Sequence, residues 1–120
     1  MLEVVCAILI RKDRVLVCQR PPGKHLAGSW EFPGGKIEKG ETPTRALQRE
    51  ICEELQCHIA IHEPLASVRH DYPEVSINLH AFRCHLSPGS PGPDPLEHTS
   101  IKWIECRDMD KIALADADSR

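Results

Sequence analysis

Two runs near the start of the chain, LEVVCAILI from Leu2 and RVLVCQR from Arg14, are dense in β-branched and other apolar residues, with a polar break at Arg11, Lys12 and Asp13. The pattern predicts two strands joined by a turn, because branched side chains suit a pleated surface and the charged break does not. The segment PPGKHLAGSW that follows has no such period and reads as a loop. From Pro43 the period changes: Leu47, Ile51 and Leu55 recur every fourth residue, Thr42 can cap, and Pro43 suits a first helical position. These signals predict a helix from Pro43 to Leu55. Further strands are expected at about Ile59 to Arg69 and Val75 to Cys84, around a turn at DYPE, and again in TSIKWIEC. SPGSPGPDP between them is a surface loop, too short to link two domains.

A chain of 120 residues has material for one core and not two. With no internal repeat, residues 1–120 are expected to form one α+β domain with a mixed sheet and one dominant helix. Hydrophobic residues at 41% and charged residues at 28% fit a globular protein, and a net charge of -3 argues against a general affinity for nucleic acid. No stable nucleic-acid complex is expected, and a small anionic ligand would need local help. The six cysteines contain no CxxC pair and several lie in apolar runs, which reads as buried reduced thiols. The apolar run from Val4 to Ile10 is too short for a signal peptide core, and nothing is long enough to span a membrane. The cytoplasm is the expected location.

The helix carries the candidate chemistry. Glu50, Glu53 and Glu54 fall within roughly 100° of one another on a helical wheel, beside the stripe of Leu47, Ile51 and Leu55. Arg45 and Arg49 fall on the other side, where neighbouring pairs cannot neutralise all three acids. A lone Glu-Glu pair ordinarily marks a solvated face; here the acids border the core. Oxygen donors gathered without lysine suit a hard cation, Mg²⁺ or Mn²⁺, whose remaining positions are commonly filled by water and substrate phosphates. Arg20, Lys24 and His25 form a small basic group suited to phosphate.

Gly35, five residues, Glu41, seven residues and REICEELQC together resemble the Nudix box, Gx5Ex7REUxEExGU with U aliphatic. Two positions depart from it: Gln56 replaces the glycine, which bears on how the helix ends, and Cys57 replaces an aliphatic residue. QRPPGKHLAGSWEFPGGKIEKGETP is also similar to the matching region of MutT-like Nudix hydrolases. The resemblance implies an α/β/α Nudix sandwich that hydrolyses a nucleoside diphosphate linked to another group. It further implies metal binding by the Gly34 carbonyl, Glu53 and Glu54, with Glu50 as ligand or base. Arg49 would orient the acids, Gly35 and Glu41 would support the loop, and Glu41 could serve a further metal. Glu97 matches a late glutamate that completes the site; either Glu50 or Glu97 could be the general base.

By the same resemblance Arg20 and His25 match substrate-binding residues, and Asp118 in ALADADSR takes the place of the residue that reads the base. An ionised aspartate only accepts hydrogen bonds, so it favours a donor such as the cytosine amino group or the N7 hydrogen of 8-oxoguanine. MutT-like chains continue into a closing helix beyond the point where this one stops, so that helix is expected to be absent or truncated. The implied activity is Mg²⁺- or Mn²⁺-dependent hydrolysis of oxidised or other non-standard nucleoside triphosphates, such as 8-oxo-dGTP, to monophosphate and pyrophosphate. Such an activity would clear the nucleotide pool in support of DNA repair. Alternatives are CTP or dCTP, ADP-ribose or an RNA 5′ end as substrate, or a non-catalytic module that binds a modified base. The expected partner is a nucleoside triphosphate, with no membrane; a monomer is expected, with a dimer as the alternative.

Overall fold

A computed structural model describes residues 1–23, 28–95 and 100–112. Strand β1 (Leu2–Arg11) lies at the centre and β2 (Arg14–Gln19) folds back on it, Arg11 opposite Arg14. Lys12 takes a positive φ of 56° in the connecting turn. Two short strands, β3 (Trp30–Glu31) and β4 (Gly34–Lys36), precede helix α1 (Pro43–Leu55), and β5 (Ile59–Asp71), β6 (Ser76–Leu86) and β7 (Ser100–Glu105) complete the sheet. Its order is β3-β2-β1-β6-β5, with β4 also on β1 and β7 on β2. β1 and β6 are parallel from Leu2 with Ile77 to Leu9 with Cys84, and the other pairs are antiparallel. The sheet is therefore mixed, as expected, and the fold class is α+β.

β1 explains the layering. Val5 to Leu9 are all buried, and their alternation sends Val5, Ala7 and Leu9 to one side and Cys6 and Ile8 to the other. The first side meets Leu16, Cys18 and the helix residues Ala46, Leu47, Ile51 and Leu55. Each large apolar helix side chain buried there contributes about 1.5–3 kcal/mol. The second side is packed with Val15, Val17, Phe32 and Ala81, flanked by Trp30, Ile104, Met109 and Ile112. Met109 belongs to a 3₁₀ turn, Cys106–Lys111, that the pattern did not predict.

The helix bounds agree with the periodicity. Thr42 accepts a hydrogen bond from the Arg45 N–H at 3.2 Å, a cap worth about 1 kcal/mol. At the other end Gln56 adopts the left-handed conformation, φ 53° and ψ 36°, and its N–H donates to the Cys52 carbonyl. Gln56 therefore ends the helix in the conformation glycine favours, at a steric cost that glycine would avoid. The loop after β6 fastens this end: the Asp94 N–H donates to the Leu55 carbonyl at 2.8 Å, and the His58 N–H to the Ser90 hydroxyl at 2.8 Å.

The strand predictions hold to within two residues at each end. PPGKHLAGSW, read as a loop, ends in β3: Trp30 pairs with Gln19. Pro64 in β5 sits where the register to β6 shifts, and β5 is an edge strand, the setting in which a strand tolerates proline. All six cysteines are free; Cys6, Cys18, Cys57 and Cys84 are buried, but Cys52 is exposed on the helix and Cys106 is partly exposed. Among the described residues no helix is long and apolar enough to cross a membrane.

Candidate active site

On one side of β1 the sheet parts: β4 pairs with Val4 to Cys6, β2 with Ile10 and Arg11, and between them the Ala7 N–H donates to the Pro33 carbonyl at 2.8 Å. Beside this parting lies a cleft of about 620 Å³. Arg20, Glu31, Gly34 and Gly35 form its strand side, and Arg49, Glu50, Glu53 and Glu54 its helix side. Both glycines are there for steric reasons. A Cβ on Gly34 would overlap the Val5 carbonyl, and one on Gly35 would overlap the Glu50 carboxylate. Gly35 is thus the cradle in which Glu50 lies.

The helix wheel misplaced one residue. Arg49, expected on the far side from the acids, has its guanidinium among them, because the wheel positions a Cα and this side chain is long enough to turn back toward the loop. It grips Glu41 in two places, Nε to Oε2 at 2.7 Å and Nη2 to Oε1 at 2.9 Å, and Nη2 also donates to the Lys36 carbonyl at 3.1 Å. Its Nη1 lies 3.2 Å from Glu53 and 3.7 Å from Glu50. Arg45 is exposed. Glu41, accepting from Arg49 and from the Glu38 N–H at 2.8 Å, is held at a pKa of about 2. The Arg49 pKa moves up in turn, chiefly through Glu41.

Glu50 is shifted the other way. Burial raises its carboxyl pKa, Arg49 works against that, and the charges of Glu53, Glu38 and Glu41 add to it. Behind the cleft the Cys18 thiol is pushed up by burial first and then by Glu54 and Glu31, so it stays protonated. Arg20, at the end of β2, pairs with Glu31, Nε to Oε1 at 2.9 Å.

The structure brings Gly34, Gly35, Glu50, Glu53, Glu54, Arg49 and Arg20 to one cleft, with Glu41 joined to it through Arg49. His25, Lys24, Glu97 and Asp118 lie outside the described residues. Sequence reasoning did not find Glu31, Glu38 or the Lys36 carbonyl as parts of the cleft. The only signal for Glu31 was its position one residue before FPGG, on a strand of two residues that shows no period. Among the described residues no three His, Cys, Asp or Glu side chains stand together as a group that could hold a metal ion. What the cleft does present is an excess of carboxylate oxygen, with the Arg49 guanidinium shared among Glu41, Glu53 and Glu50.

The family model for the NUDIX domain matches residues 4–120. The chain is 36% identical over 118 residues to the CTP pyrophosphohydrolase of Escherichia coli (strain K12), covering 98% of this chain and 86% of that protein. It is 40% identical over 82 residues to the 8-oxo-dGTP diphosphatase of Proteus vulgaris, covering 68% of this chain and 73% of the relative. Among solved structures, the Escherichia coli ORF135 protein superposes with a TM-score of 0.82 at 36% identity, over 98% of this chain and 84% of that one. A MutT Nudix hydrolase from Burkholderia pseudomallei gives 0.70 at 28% identity, over 87% and 82%. Box, glycine cradle, fold and relatives agree: this chain belongs to the Nudix family and is a nucleotide-directed hydrolase of it.

Proposed function

We propose that the protein is a Mg²⁺- or Mn²⁺-dependent nucleoside triphosphate pyrophosphohydrolase that splits its substrate into a nucleoside monophosphate and pyrophosphate. The observation that carries this reading is the cleft in which Gly35 receives Glu50 while Glu53 and Glu54 line the same wall. The donors fit a hard divalent cation in kind: they are oxygens, no lysine stands among the three helix acids, and such a cation commonly needs only one or two carboxylates beside water and phosphate oxygens. The Gly34 carbonyl with Glu50, Glu53, Glu54 and Glu97 would hold it. When bound, the cation offsets charge on the phosphate oxygens and makes water a better nucleophile.

The chain's own residues do the rest. Arg20 and His25 bind the phosphates. Glu50 or Glu97 takes the proton of the attacking water, whose oxygen joins one phosphorus of the α–β bridge as the bridging oxygen leaves with the other. Arg49, anchored on Glu41, keeps the helix acids registered against the loop. Asp118 reads the base.

The leading substrates are oxidised or non-standard nucleotides such as 8-oxo-dGTP. A CTP-directed reading has its own support, in the relative of that activity that aligns with 98% of the chain. A panel of 8-oxo-dGTP, dGTP, dCTP, CTP and dATP, with and without Mg²⁺, assayed for pyrophosphate release, tests both. Turnover that needs the cation and favours one nucleotide is expected; no pyrophosphate from any of them overturns the proposal.

A further inference from the structure

The geometry points to Glu31 as a positioning residue that aims Arg20 at substrate phosphate and keeps its guanidinium out of the helix carboxylates. This rests on the proposed role of Arg20 as a phosphate contact. Glu31 lies opposite Cys18 across the β2–β3 pair, on the α1 side of the sheet, while its neighbour Trp30 packs on the other side. The local frame is fixed by backbone bonds, Arg20 N–H to the Ser29 carbonyl at 2.9 Å and Gly28 N–H to the Arg20 carbonyl at 3.1 Å. In that frame the carboxylate engages Arg20 through Nε at 2.9 Å. The two side chains are only 33% and 24% exposed, so the bond is partly shielded from water.

The charges around it say why such a restraint is needed. Glu50, Glu53 and Glu54 line the cleft opposite Arg20, and the single guanidinium of Arg49, shared among Glu41, Glu53 and Glu50, leaves them with an excess of negative charge. An arginine has a long, rotatable stem and is drawn to carboxylates. Released from Glu31, the Arg20 guanidinium would be freer to turn toward the helix acids and compete there with a cation. Glu31 supplies the nearer partner on the strand side. By binding Nε, it orients the planar fork that recognises phosphate.

The sign of the effect separates this role from simple electrostatics. Removing a negative charge beside an anion site should by Coulomb attraction alone tighten phosphate binding, and so lower KM; loss of a positioning residue should raise it. The experiment measures kcat and KM at fixed Mg²⁺, on the panel nucleotide turned over fastest, for the parent, Glu31→Ala, Glu31→Gln, Arg20→Ala and the double variant Glu31→Ala with Arg20→Ala. Arg20→Ala is expected to raise KM roughly tenfold, and Glu31→Ala roughly three- to tenfold with kcat within about twofold, as for removal of a binding contact shared by ground and transition states. Glu31→Gln, which keeps the shape and an acceptor, should fall between parent and Glu31→Ala, and it carries the test alone if Glu31→Ala does not fold. In the Arg20→Ala background the Glu31 change should move KM by less than about twofold, because residues that act through one another are not additive.

A lowered or unchanged KM in the Glu31 variants overturns the inference while leaving Arg20 as a phosphate contact. So does a fall in kcat at constant KM, which would place Glu31 in the chemistry, or a Glu31 effect undiminished without Arg20. An Arg20→Ala enzyme with the parent's KM removes the phosphate role of Arg20, and the Glu31 inference with it. Absence of turnover for every nucleotide removes the proposed function and this inference together.

Discussion

Two arginine–glutamate pairs in this molecule are nearly the same object in different places. Arg83 grips Glu63 through Nε at 2.7 Å and Nη2 at 3.0 Å, and Arg49 grips Glu41 through Nε at 2.7 Å and Nη2 at 2.9 Å. Both carboxyls are held at about 2, in each case chiefly by the arginine hydrogen bonds. The Glu63 pair joins β5 to β6 and satisfies itself. The Glu41 pair joins the loop after β4 to the helix, and Glu50 and Glu53 stand beside it, 3.7 and 3.2 Å from the same guanidinium. Geometry within a pair therefore says little about its purpose. The surplus charge around one of them is what distinguishes the proposed site.

The sharpest way to break this comparison is to neutralise one glutamate in each place. Glu53→Gln should lower turnover by about 100-fold or more, the scale on which a group acting on developing charge contributes, with the circular dichroism spectrum unchanged; Glu63→Gln should leave turnover within about twofold. Equal activity in the two variants would dissolve the distinction.

Packing gives the next effect. Gly35→Ala forces a methyl against the Glu50 carboxylate, which can swing aside on its flexible stem, so the loss should fall at the low end of the about 1–3 kcal/mol that overpacking costs. Denaturant melts should show that loss, and Glu50→Ala added to Gly35→Ala should recover part of it. If the two changes are additive, Gly35 and Glu50 do not share the space.

The surplus charge should also respond to cations. Metal bound only by the folded state stabilises by RT ln(1 + [L]/Kd), about 1.4 kcal/mol at ten times Kd. Melting temperature in millimolar Mg²⁺ or Mn²⁺ should rise for the parent and for Glu63→Gln, and less for Glu53→Gln. A rise of the same size in all three would detach the stabilisation from the cleft.

The smallest effect belongs to the isolated pair. Glu63 has its folded pKa lowered from 4.5 to about 2, so its contribution is present above pH 4.5 and is lost as the pH falls toward 2. Glu63→Gln should melt slightly below the parent at neutral pH, with the gap closing through that window. A gap that widens in acid would reverse the assigned sign.

The helix was legible because three signals coincided there: the cap at Thr42, the proline at position 43 and the four-residue period of Leu47, Ile51 and Leu55. β3 and β4 were not, since two or three residues are too few to show alternation and their partners lie on other strands. The acids were found, but not the reach of Arg49, which depends on where Glu41 and the Lys36 carbonyl come to rest. Glu31 was missed for a related reason. Its significance comes from pairing with Arg20 across a strand contact that no local pattern announces. Gln56 shows the opposite case: the departure from glycine was plain in the sequence, and the structure shows the chain accepting the left-handed turn regardless.

The parallel pairing of β1 with β6 also orders events in time. Leu2 finds its neighbour at Ile77, so β1 waits for the helix, β5 and β6 to follow before that edge is covered. Local contacts such as the Glu41 grip on Arg49 can close early, whereas contacts distant in sequence close late and slowly. In the interval a strand of valine, isoleucine and leucine lies open, and that is the segment through which a newly made chain would most readily aggregate.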